Sequence, residues 1–295
     1  MACRRSAVRS RIAPPIFQGP TLVVGPFFCP QVMIASNIVL EGIVLESLQS
    51  AAQYLKQARR VVIFSGAGVS AESGIATFRD ALTGLWSRFD PQRLATPEAF
   101  QADPELVWGW YEWRRAQAGR VQPNPGHAAI AELERHVPRV AVVTQNVDNL
   151  HERAGSSRVI HLHGSIHSPR CFSCARPMQI PLSETPSADG QPIPPPRCPH
   201  CNGMARPGVV WFGEALPEEA WQAAWQAVEE CDLLLSVGTS AAVYPAAQLP
   251  QLAIEQGATV VHVNPEPVTT CSERERALVG PAGKCLPLLL EKAFY

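Results

Sequence analysis

RRVVIFSGAG, residues 59–68, is the stretch on which the fold turns. Val61 to Phe64 form an uninterrupted apolar run that stops at Gly66 and Gly68. A short strand that is apolar on both sides is one covered on both faces, as in parallel sheets. Similar runs recur in VAVVTQN (140–146), RVIHLHG (158–164), CDLLLSVGTS (231–240) and ATVVHVN (258–264). Helical patterns alternate with them, beginning with an amphipathic one from Ser47 to Ala58. This alternation predicts an α/β fold with a doubly wound parallel sheet.

The 295 residues suit one large domain with a small one inserted, and 46% hydrophobic content is enough for a real core. The net charge of −1 supplies no basic field for nucleic acid or a membrane surface, so neither is an expected partner. Residues 1–40 differ from the rest. Arg4, Arg5, Arg9 and Arg11 precede the first acidic residue, Glu41, and Pro14, Pro15, Pro20, Pro26 and Pro30 break any helix. The apolar stretch from Thr21 to Ala35 is interrupted by two of these prolines and is too short to span a bilayer. An N-terminal extension, 1–40, is therefore expected to precede a folded domain, 41–295. The extension reads as a disordered tail, an upstream start with the true beginning near Met33, or an organelle-targeting peptide. The first two readings place the protein in the cytoplasm, the third in the mitochondrial matrix; cytoplasm is the expectation.

Four of the nine cysteines form two C-x2-C pairs, Cys171/Cys174 and Cys198/Cys201, with 23 residues between them. That spacing fits a tetrahedral four-cysteine zinc ribbon, and four thiolates leave no open position for water, so the zinc is expected to be structural. The prolines between 177 and 196 mark a small insertion, about 167–206, held by metal rather than by a core. A second module, helical, is expected at about 81–119.

The loop SGAGVSAESGIATFRD (65–80) follows a strand. Its glycines either let the backbone cradle a phosphate or form an ordinary turn. Three other strands end in small polar residues: Gln145-Asn146-Val147-Asp148, Gly238-Thr239-Ser240 and Asn264-Pro265-Glu266. Ligands of doubly wound sheets sit at such carboxyl ends, and four together suggest a dinucleotide. VIHLHGSIH (159–167) holds His161, His163 and His167, which read as a base, metal ligands or structural groups; spacing does not choose among these. In WYEWRR (110–115), Asp103 is an N-cap and Pro104 suits the first helical position. Leu106, Trp110 and Trp113 form one stripe, and Val107, Tyr111 and Arg114 the next. Either Tyr111 and Arg114 are the wet edge of a core helix, or they line a pocket that reads an anion.

GAGVSAESGIATFRD, TQNVDNLHERAG (144–155), HLHGS (161–165), the cysteine pairs, VVWFGE (209–214), GTSAAVYPA (238–246) and VNPE (263–266) occur in the order seen in sirtuins, and the chain resembles that family over about residues 46–292. The resemblance implies a Rossmann-like sheet with a small inserted zinc-ribbon and helical domain. It implies an NAD-dependent protein lysine deacylase with NAD as co-substrate, one structural zinc and acyl-lysine proteins as substrates. The acyl oxygen attacks the ribose carbon as nicotinamide leaves, and the products are nicotinamide, free lysine and O-acyl-ADP-ribose. His163 matches the general base, with Asn146 beside it. The cofactor positions carried over are Gly66, Ala67, Gly68, Ser70, Glu72, Ile75, Phe78, Arg79, Gln145, Asn146 and Asp148, then Gly238, Thr239, Ser240, Asn264, Pro265, Glu266 and Ala282. Val210, Phe212, Gly213 and Glu214 match the segment that pairs with substrate peptide as an added strand. Ala95, Tyr111 and Arg114 resemble the subgroup that removes malonyl, succinyl and glutaryl groups. Physics agrees, since a small Ala95 leaves room and Arg114 with the Tyr111 hydroxyl can clamp a carboxylate. FRDALTGLW (78–86) is one residue longer than the family pattern. The alternatives are a mainly deacetylating enzyme and protein mono-ADP-ribosyl transfer on the same fold. A nucleic-acid-binding ribbon is disfavoured, because that region carries only Arg170, Arg176, Arg197 and Arg206. A monomer is expected.

Overall fold

The first strand, β1 (Arg60–Ser65), is a central strand of a six-stranded sheet. The computed structural model describes residues 46–76, 90, 94–181, 191–240 and 242–295. The 1–40 extension, Phe78, Arg79 and the lengthened loop at 79–86 lie outside the described residues. On one side of β1 come β2 (Arg139–Thr144) and β3 (Val159–His161). Two strands, β4 (Gly164–Cys171) and β5 (Ala205–Val209), form a separate antiparallel pair. On the other side of β1 come β6 (Leu233–Val237), β7 (Thr259–Asn264) and β8 (Glu275–Val279). The order is β3-β2-β1-β6-β7-β8, and every neighbouring pair is parallel. From β1 the chain moves outward to β3 and then returns to β6, so the winding reverses between β1 and β6. Doubly wound sheets bind their ligands at the carboxyl ends of the strands flanking that reversal.

Side chains alternate across the sheet, and each face has its own core. Val61, Ile63, Val142, Leu235 and Val261 face the helices at 46–57, Pro125–Glu132 and Ala282–Phe294. Val62, Phe64, Val143, Leu234 and Val260 face the helices Glu218–Glu229 and Leu249–Glu255. The edge strand β8 has no apolar run to announce it: Glu275, Arg276 and Ala277 are half-buried and only Leu278 is buried. No helix among the described residues is long and apolar enough to cross a membrane.

The helical and cysteine-bearing insertions share a third core. Phe100, Val107, Trp108, Tyr111, Ile166 and Trp211 pack there, so the helices Pro97–Ala102 and Pro104–Arg120 lean on β4 and β5. The long helix starts as its sequence predicts, with Pro104 first and the Asp103 carboxylate accepting the Leu106 N–H at 3.0 Å. Its faces are a correction. Residues 107–111 are all buried, so the helix is covered on several sides rather than along one stripe. Tyr111 is 2% exposed, not a wet edge, and Arg115 is 3% exposed. Arg115 bridges Glu112 at 2.8 Å and donates to the carbonyls of Ile180 and Pro181 at 2.9 Å. Gly109 has no side chain because the Gln191 carbonyl lies against it.

Candidate functional site

Where β1 and β6 end, two loops meet backbone to backbone. The Gly66 N–H donates to the Val237 carbonyl (3.0 Å) and the Gly68 N–H to the Gly238 carbonyl (2.9 Å). A Cβ on Gly66 or Gly68 would lie 2.8 or 2.7 Å from the Gly238 oxygen, and Gly238 itself has φ +58. Two of the amides expected to face a phosphate therefore join the loops to each other. The glycines here serve the close packing of the two loops on each other.

The other polar strand ends converge on this crossing. Gln145 Nε2 donates to Thr239 Oγ1 (2.9 Å), Asn146 Nδ2 to Ser70 Oγ (3.0 Å) and Asn264 Nδ2 to the Thr239 carbonyl (3.4 Å). A cavity of about 50 Å³ lies beside Gln145 and Asn146, lined also by Ser70, Ile75, Arg114 and Asp148. Ala67 also borders it, whereas Ser240, Pro265 and Glu266 are exposed outside it. Glu72 turns elsewhere: its carboxylate accepts the Gly283 N–H at 3.0 Å and caps the helix that begins at buried Ala282.

The histidines that spacing left equivalent now separate. His161 Nδ1 faces the Asn146 carbonyl (3.1 Å) and Nε2 faces the Glu152 carboxylate (2.6 Å). Both partners only accept, so both nitrogens carry protons. Burial opposes that charge, but the Glu152 hydrogen bond and charge outweigh it and raise the pKa. Among the described residues His163 has one side-chain partner, the Gln145 carbonyl, which takes Nδ1–H at 3.0 Å. Its neutral tautomer is therefore fixed with a lone pair on Nε2, and burial lowers its pKa. His167 is also lowered, chiefly by burial, and its main-chain N–H donates to Ser165 Oγ at 3.2 Å.

Two further histidines lie beneath this floor, and no sequence signal marked them. His127 is fully buried and its ring meets His151 edge-on, with centroids 4.9 Å apart. His151 Nε2 contacts Ser65 Oγ at 2.9 Å, and Ser65 in turn donates to Thr144 Oγ1 at 2.8 Å. Thr144 Oγ1 also takes the Asn146 N–H at 3.0 Å. Burial pushes His127 down to about 4 and His151 down to about 3, from an ordinary 6.5. Both are neutral bases in the folded state and take up protons when it unfolds. The unfolded state then binds more protons below pH 6.5, so stability falls as pH drops from there toward 4. The expected loss is about 2 kcal/mol per histidine by pH 5. Denaturant midpoints against pH check it: His127→Gln should flatten the slope, and an unchanged slope would exclude this origin.

The VVWFGE segment is tied on both sides. The Val210 N–H donates to the His163 carbonyl and the Phe212 N–H to the Ala95 carbonyl, each at 2.9 Å. Glu214 takes the Trp211 N–H (2.9 Å) and returns its own N–H to the Trp211 carbonyl (3.0 Å). Beyond Trp211, Phe212 and Gly213 are exposed. Glu214 is also forked by Arg206, with bonds of 2.5 and 2.9 Å, so its carboxylate braces the segment. One arginine in the apolar run ARPGVVW (205–211) is the only sequence signal for Arg206. Ala95 and Tyr111 sit in the third core. Arg114 reaches the cavity from the same helix, its guanidinium 5.0 Å from the Trp110 ring centre. Burial lowers its pKa while Tyr111 and Asp148 raise it, and a guanidinium keeps its charge in such a place.

Far along β4, the sulfurs of Cys171, Cys174, Cys198 and Cys201 lie within 4.8 Å of one another. Cys171 and Cys201 are 3.5 Å apart, Cys174 and Cys198 3.8 Å. Zinc–sulfur bonds of ~2.3 Å arranged tetrahedrally require edges of ~3.8 Å, so the four cysteines fit a zinc ion. The residue after each pair, Ala175 and Asn202, takes positive φ (58 and 60) and sends its N–H back to the first cysteine's carbonyl. The two halves of the site thus have the same local fold.

The family model described as "Sir2 family" matches residues 66–245. The chain is 62% identical over 249 residues to "NAD-dependent protein deacylase 1" of Pseudomonas aeruginosa, covering 84% of this chain and 99% of that protein. It is 56% identical over 239 residues to "NAD-dependent protein deacylase" of Methylococcus capsulatus, covering 80% and 93%. A crystal structure of a Sir2 homolog–NAD complex superposes with a TM-score of 0.72 at 42% identity, over 82% of this chain and 92% of that one.

Proposed function

We infer that this chain, which belongs to the Sir2 family, works in the cleft above β1 and β6 and removes acidic acyl groups from lysine, succinyl and malonyl ahead of acetyl. It is an NAD-dependent protein deacylase, with NAD as co-substrate. When bound, NAD supplies a ribose carbon that becomes electrophilic as nicotinamide departs. The pyrophosphate would lie against the loop that follows Gly66, and Asn146, pinned to Ser70, would orient the ribose beside Asp148. His163 is the proposed base. With Nδ1 held by Gln145, its Nε2 takes a proton from a ribose hydroxyl.

The observation that supports the acidic preference is Arg114 in the wall of the cavity, with Tyr111 one turn away on the same helix. A buried guanidinium favours an acyl group that ends in a carboxylate, and the Tyr111 phenol stays neutral because burial pushes it up to about 12. Breaking such a pair costs at least about 2 kcal/mol, or roughly 30-fold. Arg114→Met should therefore lower kcat/KM by roughly 30-fold or more on succinyl- and malonyl-lysine peptides, and by much less on acetyl-lysine. A variant that kept its succinyl activity would remove the basis for the acidic preference.

A further inference from the structure

We infer that Trp211 is a positioning residue for the acyl site, setting the Tyr111 hydroxyl as a donor to the incoming carboxylate. The inference rests on the reading that the site takes acidic acyl groups.

An indole N–H can only donate, and Trp211 Nε1 lies 3.2 Å from Tyr111 Oη in a buried contact. The phenol oxygen is therefore an acceptor in this bond. A phenolic O–H stays near its ring plane and has two orientations. One of them points at the Trp211 proton and is disfavoured, which leaves the hydroxyl turned the other way as a donor. A hydroxyl that accepts one bond is also polarised into a better donor for the next. Without Trp211 both orientations are open, and one of them presents a lone pair to the substrate carboxylate. The charged groups around Tyr111 are Arg114, Arg206 and Glu214.

Trp211 can set this direction because it is itself held. It is 1% exposed. The Arg206 guanidinium lies 3.5 Å from its ring centre, and the Phe100 ring 5.4 Å away packs on it as well. Glu214, clamped by Arg206, fixes its main-chain N–H. Tyr111 and Trp211 stand 100 positions apart, so this contact exists only through packing of the helical module on the segment that follows β5.

The test compares the parent enzyme, Tyr111→Phe, Trp211→Phe and the double variant on succinyl- and acetyl-lysine peptides with NAD. Each single variant should lower the succinyl-to-acetyl ratio of kcat/KM by roughly 5-fold or more, mainly by raising KM for the succinyl peptide. The double variant should match Tyr111→Phe alone, because Trp211 acts through that hydroxyl. If Trp211→Phe slows both substrates in parallel, or its effect multiplies with that of Tyr111→Phe, Trp211 does not act as proposed. A parent without a succinyl preference, or a Tyr111→Phe variant with an unchanged ratio, overturns the acidic-acyl reading and this inference with it. Should Trp211→Phe fail to fold, the indole N–H resonance of Trp211 in the parent serves instead. It should shift on binding the succinyl peptide and not the acetyl peptide, and equal responses overturn the proposal.

Discussion

A His163→Ala enzyme slows on succinyl-, malonyl- and acetyl-lysine peptides by one common factor, about 10² to 10⁴. The common factor is the point. In the function proposed above, recognition by Arg114 and Tyr111 would depend on the acyl tail, whereas proton removal from a ribose hydroxyl would be shared by every substrate. His163 suits the second task because its Nδ1 is tied to a main-chain carbonyl at 3.0 Å, leaving Nε2 as the only lone pair. The pH dependence has a definite sign. The base works when neutral, so activity falls as pH drops through its pKa, and burial moves that pKa down from its ordinary value. The acid limb of the parent should therefore lie below the usual histidine range near 6.5. Single-turnover kinetics on all three acyl peptides check both statements. A loss confined to one acyl type would make His163 part of acyl recognition instead.

Stripping the metal with a strong chelator at neutral pH should abolish turnover while leaving the six-stranded sheet folded. Four thiolates within 4.8 Å repel one another without a cation between them, and structural zinc sites contribute about 10 kcal/mol or more. The loss spreads along a defined route. Cys171 ends β4, Phe172 follows it, and both β4 and β5 border the core that holds Tyr111 and Trp211. The two cores on the faces of the main sheet include no residue of β4 or β5. Hydrogen exchange should then show lost protection at Ile166, Ala205 and Val209, and retained protection in β1, β2 and β6. Inhibition with protection intact in β4 and β5 would place a metal at the chemistry and not in the ribbon.

Local chemistry made much of this readable from sequence. Apolar runs ending at glycines or small polar residues gave five strands of the main sheet, two cysteine pairs gave the metal site, and Asp103-Pro104 gave the start of the long helix. What escaped depends on contacts between distant segments. β8 is an edge strand with charged residues, so no apolar run marks it. Among the described residues, His161 and His163 differ in what their second nitrogen meets, a carboxylate in one case and no protein acceptor in the other. Helical spacing left Tyr111 between a wet edge and a pocket wall because it cannot register Trp211 arriving from a distant segment. Arg115 is buried by a proline-rich segment 65 positions away, which no periodicity within the helix could indicate.

β4 also separates two kinds of observation. It begins at Gly164, next to His163, and ends seven residues later at Cys171. At roughly 3.3 Å per residue, that places the metal on the order of 20 Å from the reacting atoms. A cobalt ion in the cysteine site would absorb visible light through its thiolate ligands, at a distance where bound nucleotide or peptide does not reach its coordination sphere. One cuvette would then carry two independent clocks, the colour following the ribbon and nicotinamide release following the reaction. Their order of decay on heating would tell whether the enzyme loses its metal before it loses its chemistry.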